Sequence, residues 1–104
     1  MTYLKVRVLR IWDTDRYPGW AECSMRDAFG VEHRFRDKIP VFSLREVTPA
    51  DIPRDGVIRC MRVQESAGGV IVVDTELPDH VESLAGSHIF HILQDQLTSG
   101  EVDP

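Results

Sequence analysis

Apolar and polar residues alternate along most of the chain with a period of two. Near the start, Leu4, Val6 and Val8 alternate with basic residues, which is the pattern of a strand that buries one face. The alternation is lost over residues 9–12, so a bulge or a strong bend is expected there. The first segment is therefore predicted to be a half-buried strand with an irregularity near its end.

The clearest alternation spans residues 20–36 and predicts a β-hairpin. Two alternating segments flank the turn 27–30, which has Asp27 in its first position and Gly30 in its fourth. A type I turn prefers these residue types at these positions. One face of the hairpin is predicted to carry Ala21, Cys23, Met25 and Phe35, and the other face the charged residues and Trp20.

The remaining segments complete an all-β pattern. Strands are predicted over 56–63, 70–73 and 87–93, and the segment 70–73 is apolar on both faces, which favours a central position. Extended chain is expected over 37–42, and single helical turns after Thr48 and near residues 94–97. We expect a small six-stranded barrel or roll with at most one or two single-turn helices. Residues 1–97 form this single domain and residues 98–104 a flexible tail.

Length and cysteine content indicate a small intracellular protein. A chain of 104 residues has the size of one domain. No apolar run reaches the roughly 20 residues that cross a bilayer, and the start lacks the continuous apolar stretch of a signal peptide. We therefore expect a cytoplasmic location without membrane association, in which Cys23 and Cys60 are reduced, buried thiols.

The charges are unevenly distributed along the chain. All twelve basic residues lie in residues 1–62, together with nine acidic ones, whereas residues 63–104 contain eight acidic residues and no base. Half of these eight acids lie in one predicted loop: Asp74, Glu76, Asp79 and Glu82. The loop is interpreted either as a solvated segment or as a docking surface for a basic protein, since a surface of one sign accelerates association with the opposite sign.

A basic face on the predicted hairpin supports a second hypothesis, the binding of single-stranded nucleic acid. An aromatic ring beside guanidinium groups can stack a base, and the residues in question are Trp20, Arg26, Arg34, Arg36 and Lys38. Glu22 and Glu32 interleave with these bases, and opposite charges on paired strands also stabilise a hairpin. The sequence pI of about 5.2 lies far below that of dedicated nucleic-acid binders.

Neither a metal site nor a catalytic centre is predicted. His88 and His91 are three residues apart, which on a strand directs them to opposite faces, and the usual zinc spacings are missing. His33 shares a face with apolar residues and is interpreted as a hydrogen-bonded structural histidine. The apolar neighbours of Cys23 would raise its pKa, which disfavours a nucleophilic role. We expect no metal, no cofactor and no catalytic residue.

One segment resembles a group of short bacterial proteins. The residues that carry the resemblance are Trp20-Ala21-Glu22-Cys23 and the run from Asp27 to Phe42, which has the form D-A-x-G-x-x-x-x-F-x-D-K-x-P-V-F. The stretches 53–60 and 74–82 are also similar. The resemblance implies no activity, and no functional residue can be transferred from it. In size and style the chain is similar to the immunity proteins of bacterial toxin systems.

The sequence thus predicts a non-enzymatic protein-binding module. The most specific hypothesis is an immunity-type inhibitor that docks a basic partner, such as a toxin domain, through residues 74–82. The alternative is a small β-barrel that binds single-stranded nucleic acid through its hairpin, and the third possibility is an enzyme or an accessory subunit. The oligomeric state is left open.

Overall fold

Six strands form one curled antiparallel sheet, and a seventh, very short strand joins its middle. The computed structural model describes residues 2–15, 18–44, 47–65 and 67–99. The strands are β1 (Thr2–Trp12), β2 (Trp20–Arg26), β3 (Glu32–Lys38), β4 (Arg54–Glu65), β5 (Val70–Asp74), β6 (Ile89–Leu93) and β7 (Leu97–Thr98). Their order is β3-β2-β1-β4-β5-β6, with β7 paired to β1. The prediction of an all-β barrel or roll is confirmed.

The core lies on the concave face of the sheet, to which every long strand contributes alternate side chains. Leu4, Val6 and Val8 of β1 are buried there, and the pairing with β2 shifts register between Val8 and Arg10. This shift is the predicted bulge, and it returns Ile11 to the buried face. The core extends from Leu4 to Ile92, so one continuous core unites all six strands.

The β2–β3 hairpin has the turn that its sequence predicts. The amide of Gly30 donates to the carbonyl oxygen of Asp27, and the amide of Asp27 donates to that of Val31. Gly30 has a φ of 82°, so the turn ends in a left-handed residue, as in common three-residue hairpin loops. The Asp27 carboxylate accepts the amides of Phe29 and Val31 and contacts His33 at 2.8 Å, which completes a rigid turn.

The two outer strands are joined through loops rather than by a continuous ladder. Phe35 of β3 forms an isolated bridge with Ser83, and the amide of Leu84 donates to the carbonyl oxygen of Arg34. At the other end, the amide of Ala28 in the hairpin turn donates to the carbonyl oxygen of His91 in β6. These contacts occupy some of the backbone groups that the two sheet edges would otherwise leave free. The sheet therefore curls into a half-barrel that loops complete.

Short 3₁₀ turns are the helical elements of the described residues: Ile39–Phe42, Pro49–Asp51, Ala67–Gly69 and Gln94–Gln96. The turns predicted after Thr48 and near residue 94 are among them. The expectation of extended chain over 37–42 is wrong beyond Lys38. Pro40 occupies the first turn of this 3₁₀ segment, where it is tolerated, and the segment buries Ile39 and Phe42. Burial of these side chains outweighs the extended preference of a residue before proline.

The end of the chain is partly tied to the sheet. Thr98 pairs with Tyr3 and Leu97 with Leu4 in the β1–β7 ladder, so the first residue of the predicted tail belongs to the sheet. Residues 100–104 of that tail lie outside the described residues. Within the part of the chain that the structure describes, no helix has the length and apolar character needed to span a bilayer.

Candidate functional site

The acidic segment 74–82 is a compact loop that folds against itself and against β6. Thr75 is fully buried, and its amide donates to the carbonyl oxygen of His88 at 2.9 Å. Its hydroxyl donates to the carbonyl oxygen of Val81 at 2.7 Å, and the amide of Val81 returns a bond to Thr75 at 3.0 Å. Thr75, a buried residue with several hydrogen bonds inside the loop, therefore holds the backbone of the flanking acidic residues in place.

The four predicted partner-binding acids have different environments. Both carboxylate oxygens of Asp79 accept from the Arg59 guanidinium, at 2.9 and 2.5 Å. Asp74 accepts the amide of Glu76 at 2.8 Å and contacts Nδ1 of His88 at 2.9 Å. Glu76 and Glu82 are exposed. The negative charge of the loop is therefore partly neutralised within the fold, at Asp79 and Asp74. Glu76 and Glu82 carry most of the charge that remains available to a partner.

Hydrogen bonding stabilises the charged forms of Asp74 and His88. The amide of Glu76 is the largest cause that lowers the pKa of Asp74, and His88 lowers it further. The pKa of His88 is raised, first by its bond to Asp74 and then by the charges of Asp74, Glu76 and Glu82. The carboxylates of Asp74, Glu76 and Glu82 therefore all favour the protonated form of the His88 imidazole.

Apolar side chains lie exposed beside the acidic loop on the convex face of the sheet. Asp74 pairs with Met61 on one side and with Ile89 on the other, so the three side chains form one cross-strand row. Met61 and Ile89 are 52% and 42% exposed, and Leu93, which lies on the same face four residues further along β6, is 43% exposed. Leu77, in the loop itself, is 52% exposed. We name the set Met61, Glu76, Leu77, Glu82, Ile89 and Leu93 the acidic–apolar surface.

The alternative nucleic-acid face exists in the predicted register. Cross-strand pairs place Trp20 opposite Lys38, Ser24 opposite Arg34 and Arg26 opposite Glu32, so the five predicted residues share the convex face. The Trp20 ring stacks on Trp12 of β1, with centroids 6.5 Å apart. This stack was not predicted, because the bulge in β1 decides which side of the sheet Trp12 occupies.

Glu22 neutralises the centre of this basic face. Its carboxylate accepts from Nη1 of Arg34 at 2.9 Å and from Nε of Arg36 at 2.7 Å. Arg34 also bonds Glu32. Glu22 is only 9% exposed, and the bond from Arg36 is the largest cause that lowers its pKa. Two of the predicted nucleic-acid-binding arginines are thus held by carboxylates of their own hairpin.

Arg26 lies away from this cluster, at a cleft where β2 leaves β1. Pairing of β1 with β2 ends at Arg7 and Ser24, and β7 takes the adjoining position on β1 from Leu4. The open cleft between them has a volume of about 450 Å³ and is lined in part by Lys5, Arg7 and Arg26. Lys5 donates to the carbonyl oxygen of Asp95, and Arg7 pairs with Asp55, both at 2.8 Å.

The two cysteines have the environment that their sequence context predicts. Both are free and almost completely buried. Burial raises the pKa of Cys23, and it raises the pKa of Cys60 to about 11. Because the thiolate is the nucleophile, neither thiol is prepared for covalent catalysis.

Three of the four histidines occupy different settings. His33 contacts Asp27 at 2.8 Å and packs edge-on against Phe90, as expected for a structural histidine. His91 is exposed near the ring of Phe29. His88 joins Asp74 and Glu76 in a cluster whose ligand atoms lie within 4.8 Å of one another. The sequence analysis missed this cluster, although Asp74 ends one strand and His88 directly precedes its neighbour.

Comparison with known proteins adds no relative: no family model matches the chain, and neither a curated protein nor a solved structure matches it.

Proposed function

We propose that this protein is a non-enzymatic binding module of the bacterial cytoplasm that docks a basic protein through the acidic–apolar surface. The observation that carries the proposal is the row Met61–Asp74–Ile89, which places exposed apolar side chains directly beside the acidic loop. Protein interfaces commonly combine an apolar centre with a polar rim, and exposed apolar patches mark interaction sites. The function is that of an immunity-type inhibitor, which covers a basic surface of a toxin.

The charges of this surface determine the kind of partner that fits. Glu76 and Glu82 are exposed, and the chain as a whole has a net charge of −5. A cationic partner is attracted over a distance of about one Debye length, roughly 8–10 Å at physiological ionic strength, and like-charged proteins are repelled. A nuclease-like toxin, whose substrate-binding site must be cationic, has the complementary chemistry.

The internal ion pairs define how the proposal is tested. Asp79 is bound by Arg59 and Asp74 by His88, so their substitution would also remove an ion pair within the fold. Glu76 and Glu82 can be changed with less risk to the fold. The test variant is therefore Glu76→Gln with Glu82→Gln. The control variant is Asp13→Asn with Asp15→Asn, which makes the same change in net charge at two exposed residues between β1 and β2.

The experiment uses the full chain as bait in a lysate of the parent organism, and any captured basic protein is then purified for affinity measurement. We expect the dissociation constant of that protein to rise at least tenfold with the test variant and to stay within about twofold with the control. If no basic protein is captured, or if both variants weaken the complex equally, the proposal is wrong.

A second candidate function, the binding of single-stranded nucleic acid, is favoured by the Trp12–Trp20 stack. The guanidinium of Arg10 lies 4.7 Å from the Trp12 ring centroid, which extends the aromatic and cationic character of the face. Against it, Glu22 holds both Arg34 and Arg36. If this function exists, an oligothymidylate binds at low salt, binding weakens as salt rises, and Trp20→Ala weakens it about tenfold or more. Absence of binding at low salt removes this candidate.

A further inference from the structure

Three potential metal ligands meet where β5 ends and β6 begins. Nδ1 of His88 lies 2.9 Å from Oδ1 of Asp74 and 3.8 Å from Oε2 of Glu76. The three ligand atoms all lie within 4.8 Å of one another. They come from three separate backbone positions: the last residue of β5, the loop that follows and the residue before β6. The group includes an imidazole, which transition-metal ions favour, as well as carboxylates.

The distances between these atoms suit a small divalent ion. Ligand atoms about 2.1 Å from a tetrahedral zinc ion are separated from one another by about 3.4 Å. The observed separations of 2.9 and 3.8 Å lie on either side of this value. Movements of about half an ångström or less by the Asp74 and Glu76 carboxylates, each relative to Nδ1 of His88, would bring both separations to that spacing.

The backbone around the three ligands is fixed. Thr75, between the two carboxylate residues, is fully buried, and its amide bonds the main-chain oxygen of His88. Asp74 and Ile89 are paired across the two strands, which sets the distance between Asp74 and His88. Rigid strand ends position ligands more accurately than a free loop does.

We propose that Asp74, Glu76 and His88 form a binding site for a divalent transition-metal ion of the zinc class. One nitrogen and two oxygen donors leave at least one coordination position open, and water fills it. The mixed ligand set favours Zn²⁺, Co²⁺ or Ni²⁺ over Mg²⁺ and Ca²⁺, which prefer oxygen ligands alone. Exposure of all three side chains to solvent, 28%, 53% and 36% for Asp74, Glu76 and His88, predicts a reversible site rather than a permanently filled one.

The site goes beyond the proposed partner binding and is tested without a partner. Isothermal titration of the full chain with Zn²⁺ is expected to show one saturable site, and the visible absorption of bound Co²⁺ is expected to disappear when Zn²⁺ is added. His88→Ala and Asp74→Asn should each weaken Zn²⁺ binding at least tenfold. Asp74→Asn retains the side-chain oxygen that accepts the Glu76 amide, so the loop is expected to keep its fold.

One control and one further ligand variant separate this site from incidental binding by other side chains. His91→Ala removes an exposed histidine that stands outside the cluster, and it should leave zinc affinity within about twofold of the original. Glu76→Gln removes a ligand with no structural hydrogen bond from its carboxylate to the described residues, and it should weaken zinc binding in a protein with unchanged circular dichroism. The proposal is overturned by the absence of a saturable site, by equal losses with His91→Ala and His88→Ala, or by equally tight binding of Mg²⁺.

Discussion

Glu22 shows how a single side chain decides what the basic hairpin can do. It lies opposite Arg36 on β3 and Arg10 on β1, and its carboxylate bonds Arg34 and Arg36. The sequence placed these residues on one face correctly, because a period of two and a type I turn fix the hairpin register. It left open which of them would bond, because neighbouring Glu32 offers an equivalent carboxylate.

Replacing Glu22 by Gln is expected to destabilise the protein by about 1.5–3 kcal/mol at neutral pH, the range for hydrogen bonds to charged groups. The Arg36 bond is the largest cause that lowers the pKa of Glu22 in the folded protein from the ordinary value of 4.5. Its contribution to stability is therefore present above this unfolded value and is lost as the pH falls through the lower folded value. Denaturant titration of both proteins at neutral and at acidic pH measures the difference.

Glu32→Gln provides the comparison for this prediction. Glu32 pairs with Arg34 with a side chain that is 41% exposed, and solvent-exposed ion pairs contribute at most about 1 kcal/mol. We expect Glu32→Gln to cost less than Glu22→Gln at neutral pH. Equal costs, or a Glu22→Gln cost that does not shrink in acid, would contradict the assigned role of Glu22.

At the scale of elements, local patterns predicted the strands, while contacts between distant segments escaped prediction. The bulge in β1 and the turn at 27–30 follow from their own residues. The Arg59–Asp79 pair joins residues that are 20 positions apart, and it depends on how β4 lies relative to the loop after β5. The meeting of Asp74 with His88 likewise requires the β5–β6 register, which the alternation of each strand alone does not determine.

The turn at Gly30 permits a test of the hairpin geometry. Gly30 has a φ of 82°, and a Cβ added there would meet no atom within 4 Å. The cost of Gly30→Ala is therefore a backbone cost, about 1–2 kcal/mol for a left-handed residue with a side chain. Asn adopts this conformation more readily than Ala, so Gly30→Asn should cost less. Thermal unfolding of both variants is the measurement, and equal costs would contradict the assigned backbone conformation.

At the scale of the whole molecule, the uneven charge along the chain does not produce two oppositely charged halves. Arg34 and Arg36 are held by Glu22 within the hairpin, and Arg59 reaches the acidic loop to bind Asp79. The acidic–apolar surface remains accessible to a partner, and in it exposed Glu76 and Glu82 lie beside exposed Met61 and Ile89. The count of charges along the sequence was enough to single out the acidic loop. The apolar side chains beside it could be identified only from the register of the sheet.

The apolar and the acidic residues should contribute to partner binding in different ways. Exposed charges act mainly on the association rate and its salt dependence, whereas buried apolar contacts act mainly on the dissociation rate. Ile89 lies in the row beside Asp74 and is the natural anchor of the surface. Its replacement by Ser removes apolar contact without changing the charge, so it complements the change at Glu76 and Glu82.

The most direct test of the proposed docking surface is a kinetic measurement with the purified basic partner at low and at physiological ionic strength. We predict that Glu76→Gln with Glu82→Gln slows association, most strongly at low salt, and that Ile89→Ser speeds dissociation about tenfold or more. The Asp13→Asn, Asp15→Asn control should change neither rate beyond about twofold. Association that is independent of salt, together with a dissociation rate unchanged by Ile89→Ser, would show that the partner binds elsewhere.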